Sequence, residues 1–143
     1  MITRRMLIVD DSDNDVELTL SALGKFHFAN PVDVARDGAE ALDYLHCRGA
    51  YAGREPGNPA LILLDIKMPK VDGLEVLKQI RGDLRLSAIP VVILTSSREQ
   101  RDLIEGHNLR ANAYVVKPVD FAQFTEAIRA TGLFWLVLNE LPS

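Results

Sequence analysis

Only one cysteine, Cys47, occurs in the 143 residues. That excludes an internal disulfide framework and any zinc site built on thiolates. Histidine is scarce as well, and His27, His46 and His107 show no metal-ligand spacing. Long apolar runs are missing. The two longest uncharged apolar stretches are Ala88–Thr95 and Gly132–Leu138, well short of the roughly 18–20 residues of a membrane span, so no membrane partner is expected. Arg4-Arg5 ahead of Met6–Val9 has the order of a signal peptide, but the apolar run ends at once in acids. Positive charge is not in excess either. Sixteen Lys and Arg face 20 Asp and Glu, a net of −4, which argues against the basic face of a nucleic-acid binder. The expectation is a cytoplasmic chain that folds as one domain over residues 1–143, with its core at about 6–131 and an apolar tail at 132–143.

What the sequence does have is alternation. Met6–Val9, Leu61–Leu64, Pro90–Leu94 and Ala113–Val116 are short runs of Val, Ile and Leu. Continuous runs of this kind predict strands covered on both faces, as in a parallel sheet. Val32–Ala35 is a weaker fifth candidate. Helical patterns lie between them. Ser12 is placed to cap a helix with Val16, Leu20 and Leu23 inward and Gly24 as a stop. Asp37 caps a second, with Ala41, Leu42 and Leu45 inward. Leu74, Leu77 and Ile80 mark a third. A fourth follows Ser96-Ser97 with Leu103 and Ile104 inward, and a fifth opens at Asp120 with Phe121, Phe124 and Ile128. Five β-α units predict an α/β fold, a five-stranded doubly wound parallel sheet with helices on both faces. Cys47–Pro59, rich in Gly and Pro, reads as a long loop.

Open parallel sheets bind ligands beyond the carboxyl ends of their strands. The predicted strands end in Asp10-Asp11, Asp65, Thr95 and Lys117. Three acids, a hydroxyl and an amine therefore converge on one rim. An acid after a strand is by itself ordinary, as a helix cap or a solvated turn. Clustered carboxylates repel one another, and a hard cation such as Mg²⁺ relieves that repulsion while keeping waters. Lys117 and Thr95 add a positive charge and a hydrogen bond, which together suit the outer oxygens of a phosphoryl group. One carboxylate is then free to act as a nucleophile.

Leu7-Ile8-Val9-Asp10-Asp11, Leu63 to Gly73, Leu94-Thr95-Ser96 and Tyr114-Val115-Val116-Lys117-Pro118 resemble the receiver domain of two-component response regulators, over residues 6 to about 131. The resemblance implies a flavodoxin-like sheet in the strand order 2-1-3-4-5. It implies that Asp65 accepts a phosphoryl group from a histidine kinase. Asp11, Asp65 and the Lys67 backbone carbonyl would ligate Mg²⁺, with Asp10 assisting through water. Thr95 and Lys117 would bind the phosphoryl oxygens, and Thr95 and Tyr114 would be the switch pair. Lys117-Pro118 would be a cis peptide. The loop at Cys47–Pro59 and the tail Phe134-Trp135-Leu136 to Leu141-Pro142 are similar to single-domain receivers paired with phytochrome-type kinases.

Asp11 to Asp15 imitates the start of an EF-hand loop, but Val16 and Ala22 stand where Gly and Glu are required. Asp13 and Asp15 read as first-turn acids favoured by the helix dipole. Tyr114, without the family pattern, reads as strand packing. An aspartyl-nucleophile phosphatase of similar fold needs a general acid two residues past the nucleophile, where Lys67 stands. A flavin module needs a phosphate loop after the first strand, where the two acids would repel phosphate. An unphosphorylated receiver-like adaptor is the third alternative. The chain is thus expected to be a signalling protein rather than an enzyme. Phe134, Trp135 and Leu138 are expected to be contacts of a homodimer, because the tail is apolar on every side.

Overall fold

The computed structural model describes residues 5–25, 31–68, 71–96 and 98–131. Five strands, β1 (Met6–Val9), β2 (Val32–Ala35), β3 (Leu61–Asp65), β4 (Val91–Thr95) and β5 (Ala113–Val116), alternate with five helices. The helices are α1 (Asp13–Gly24), α2 (Gly38–His46), α3 (Gly73–Gly82), α4 (Arg98–Gly106) and α5 (Phe121–Thr131). All strand pairs are parallel, in the order β2-β1-β3-β4-β5. The sheet therefore has the doubly wound architecture and strand order expected from the sequence.

Every residue of β1, β3 and β4 is buried, because each strand is covered on both faces. Successive side chains point to opposite sides. Leu7 and Val9 join Ile62, Leu64, Val91 and Ile93 in a core with α2, α3 and Ile104 of α4. Met6 and Ile8 join Leu61, Leu63, Val92 and Leu94 in a second core with α1 and α5. The runs of β1, β3 and β4 were readable for this reason, whereas β5, expected to be covered likewise, lies at the sheet edge with Val116 52% exposed.

Helix starts follow the side chains that satisfy their first amides. Ser12 Oγ accepts from Asp15 N at 3.2 Å, Asp37 Oδ1 from Glu40 N at 2.8 Å, Asp72 Oδ1 from Glu75 N at 3.0 Å and Asp120 Oδ1 from Gln123 N at 2.8 Å. Helix phase was harder to read. Leu20, expected inward, is 38% exposed, and Thr19 takes the buried position with its hydroxyl donated to Asp15 O at 2.9 Å. Leu103, also expected inward, is 46% exposed beside fully buried Ile104. Adjacent helical residues differ by about 100°, and on α4 the inward stripe leaves Leu103 on its flank. Gln100, one turn before Ile104, fills the inward stripe instead.

The segment from Cys47 to Pro59 is folded rather than loose. Cys47 ends α2 in the left-handed region at φ 52°, and a short 3₁₀ turn covers Gly49–Tyr51. Arg54 fastens the segment, with its guanidinium carbon 4.1 Å from the Tyr44 ring centroid and its Nε donating to Tyr44 O at 2.9 Å. Tyr44 donates its hydroxyl to Asp33 Oδ2, and Arg5 holds the same carboxylate. The Arg5 guanidinium keeps Asp33 below its ordinary pKa, and burial followed by the Asp33 contact pushes Tyr44 up to about 12. The tail contacts expected at Phe134, Trp135 and Leu138 lie outside the described residues, as does Ser97.

Candidate phosphoryl and metal site

The carboxyl ends of the strands form the rim anticipated from the sequence. Asp10 follows β1 and is fully buried. Its Oδ1 accepts from Ser12 N at 3.0 Å, so the turn into α1 holds the carboxylate in place. Asp11, next in the chain, is exposed. Asp65 closes the central strand β3 and is 4% exposed. Thr95 closes β4, and Lys117 follows β5 with its backbone N–H donated to Thr95 O at 2.8 Å.

A glycine sets how closely α3 begins against β3. Gly73 N donates to Ile66 O at 2.8 Å, and a β-carbon at Gly73 would stand 2.2 Å from Asp65 O. No side chain fits there. The helix start is therefore pressed directly against the backbone that carries Asp65.

The side chains meet over the end of β3. Carboxylate oxygens of Asp10, Asp11 and Asp65 all lie within 4.8 Å of one another. Lys117 Nζ stands 3.0 Å from Asp10 Oδ2 and 3.2 Å from Asp65 Oδ1. It also donates to Asp15 Oδ2 at 3.0 Å. One ammonium thus serves three carboxylates. Burial raises the Asp65 pKa to about 6, helped by the charge of Asp10 and opposed by Lys117. Burial works against the charge of Lys117, but its hydrogen bond to Asp15, with Asp10 and Asp65 beside it, outweighs that and raises its pKa.

This donor set suits a hard divalent cation. It consists of oxygen alone, it is over-charged, and the buried Asp10 Oδ2 meets Lys117 only as an ion pair, without a hydrogen bond of proper geometry. Lys67 is exposed and lines a groove of about 450 Å³ at the rim with Asp11, Met68, Asp72, Leu74, Gln100 and Leu103.

Two residues at the site were not anticipated. Asp15 read as a first-turn acid, yet it holds Lys117. The available signal was its position one helical turn after Asp11, on the same side of the rim. Asp13, its companion in that reading, pairs with Arg36. Gln100 read as nothing in particular, yet its Oε1 accepts from Thr95 Oγ1 at 2.9 Å and from Ser96 N at 3.0 Å. The available signal was a polar residue one turn before Ile104. Tyr114 is half-buried on β5, and the Arg101 guanidinium carbon lies 4.7 Å from its ring centroid. The Lys117-Pro118 bond is cis, as the family pattern implies.

Residues 6–129 match the model of the response regulator receiver domain. The chain belongs to that family, which consists of signalling proteins. Among its relatives it is similar to the phytochrome-associated members. Response regulator Rcp1 of Synechocystis sp. is 34% identical over 138 residues, covering 96% of this chain and 92% of its own. The structure of the bacteriophytochrome response regulator AtBRR superposes with a TM-score of 0.88 at 56% identity, covering 94% of this chain and 96% of that one. The phosphorylated cyanobacterial phytochrome response regulator RcpA superposes at 0.77 with 36% identity, covering 99% and 100%. Rcp1 has also been solved in a Mn²⁺-bound form, with a TM-score of 0.76 over 98% of this chain and 99% of that one. Receiver domains bind Mg²⁺ or Mn²⁺ at an acidic pocket, and they interact with histidine kinases. Among the described residues no helix is long and apolar enough to cross a membrane.

Proposed function

We propose that this chain is a phosphoacceptor response regulator in which Asp65 takes a phosphoryl group from the phosphohistidine of a phytochrome-type histidine kinase. The observation that carries this is the Asp65 carboxylate at the end of the central strand, inside an acidic cluster and 3.2 Å from Lys117 Nζ. An Asp65 oxygen attacks phosphorus, the new P–O bond forms as the P–N bond breaks, and the imidazole leaves with the electron pair. Lys117 neutralises charge on Asp65 and on the incoming phosphoryl oxygens. The Thr95 hydroxyl donates to a phosphoryl oxygen once it is turned toward the site. Asp11, Asp65 and the Lys67 carbonyl, with Asp10 through water, hold Mg²⁺. The bound ion supplies the remaining positive charge against which three carboxylates and a phosphoryl group can coexist. Asp10, fixed by Ser12 N, orients the cluster.

Output is by protein contact rather than by catalysis on a separate substrate. The protein works in the cytoplasm as a homodimer through Phe134, Trp135 and Leu138. The test is phosphotransfer from a purified phytochrome-type kinase. Wild-type protein should acquire acid-stable, alkali-labile phosphate only with Mg²⁺ present. Undiminished label on Asp65→Asn, or label unaffected by chelator, overturns the reading.

A further inference from the structure

We infer that Gln100 is a positioning residue for the phosphoryl site, because its side-chain carbonyl occupies the Thr95 hydroxyl proton that the phosphorylated state requires. This rests on the phosphoacceptor reading above. The bond is Thr95 Oγ1 to Gln100 Oε1 at 2.9 Å, and both side chains are buried. The amide orientation is fixed by its second contact. Ser96 N lies 3.0 Å from the same atom, and a backbone N–H can only donate, so the atom facing it is the carbonyl oxygen. Thr95 must then be the donor in its own contact. A hydroxyl has one proton, and a proton given to Gln100 cannot also be given to a phosphoryl oxygen.

Gln100 Oε1 therefore acts as an internal stand-in for a phosphoryl oxygen. When a phosphoryl group arrives, Thr95 changes partner. The Gln100 carbonyl keeps Ser96 N as a donor but is no longer tied to Thr95, so its amide turns toward the groove of about 450 Å³ that it already lines with Asp11 and Lys67. Since Gln100 lies on α4, its release moves that helix. The next residue, Arg101, stacks its guanidinium on Tyr114 at 4.7 Å. One turn of α4 thus holds both residues of the switch pair, and the exchange at Thr95 is felt at Tyr114 without any further connection.

The competition has a definite sign. A state in which the binding-competent arrangement is only a fraction of the population shows a weakened apparent affinity. Removing the competing acceptor restores that fraction. The test is binding of beryllofluoride, a non-covalent phosphoryl mimic, with Mg²⁺ by calorimetry in four proteins: wild type, Gln100→Leu, Thr95→Ala and the double variant. Gln100→Leu should bind about fivefold or more tightly than wild type, the worth of about one hydrogen bond. The gain should shrink to less than half in the Thr95→Ala background, because the effect runs through that hydroxyl. Gln100→Met, unbranched and of similar length, should behave as Gln100→Leu does, and serves if the leucine disturbs α4. Equal or weaker binding by both Gln100 variants overturns the inference, as does an undiminished gain without Thr95. Absence of Mg²⁺-dependent binding to wild type instead overturns the phosphoacceptor reading, so the two failures are distinct.

Discussion

Asp65 stands where its own surroundings oppose its charge. Burial first, and then Asp10, lift it to about 6 against the pull of Lys117. An acid whose folded pKa lies above its unfolded value holds an extra proton in the native state between the two. Stability therefore falls as pH rises from about 4 to about 6, and the cost is complete above that. Metal-free Asp65→Asn should accordingly be more stable than wild type near pH 7, by about 1–3 kcal/mol. The difference should shrink as pH falls toward about 4. Urea unfolding in chelator measures both. An Asn variant no more stable than wild type near neutrality contradicts the crowding on which the site depends. Asp33 has the opposite sign. Its pKa is lowered by Arg5, so the stability it adds is present above its unfolded value and is lost as pH falls through the lowered one.

At the scale of elements, the join between β3 and α3 is a tight constraint on the site. A methyl group at Gly73 would meet backbone atoms of Asp65 and Ile66 at 2.2 to 3.0 Å, and backbone cannot rotate away as a side chain can. Gly73→Ala should cost about 1–3 kcal/mol in denaturant unfolding and weaken Mg²⁺ binding together with it, since α3 can yield only by shifting the strand end that carries Asp65. A stable variant with unaltered Mg²⁺ affinity would show that the close approach is unimportant. The strands were legible in the sequence because β1, β3 and β4 are buried on both faces and so carry unbroken apolar runs. Helix starts were legible because Ser12, Asp37 and Asp120 announce them chemically. Helix phase was not, since the sheet decides whether Thr19 or Leu20 faces inward, and it chose the threonine whose hydroxyl finds Asp15 O. The rim residues Asp10, Asp11, Asp65, Thr95 and Lys117 were readable from strand ends alone. Asp15 and Gln100 were not, because their meaning lies in a partner: Asp15 holds a lysine 102 positions away, and Gln100 holds a hydroxyl on the preceding strand.

On the scale of the whole molecule, α5 already spends its inward stripe, Phe124, Ala127 and Ile128, on the sheet. The sequence then continues Leu133-Phe134-Trp135-Leu136-Val137-Leu138, a run of a kind that monomers rarely leave exposed as a contiguous patch. Sedimentation at tens of micromolar, roughly where modest dimer affinities register, should give a dimer for wild type and a monomer for Trp135→Glu. A monomeric wild type rules out the dimer. The proposed function turns on a single covalent event at the end of β3. Borohydride reduces an aspartyl phosphate to homoserine, so phosphorylated protein can be trapped and its peptides mapped by mass spectrometry. Homoserine should appear at position 65 and nowhere else. Homoserine at Asp10, at Asp11 or at any other aspartate, with Asp65 intact, would contradict the account at its centre.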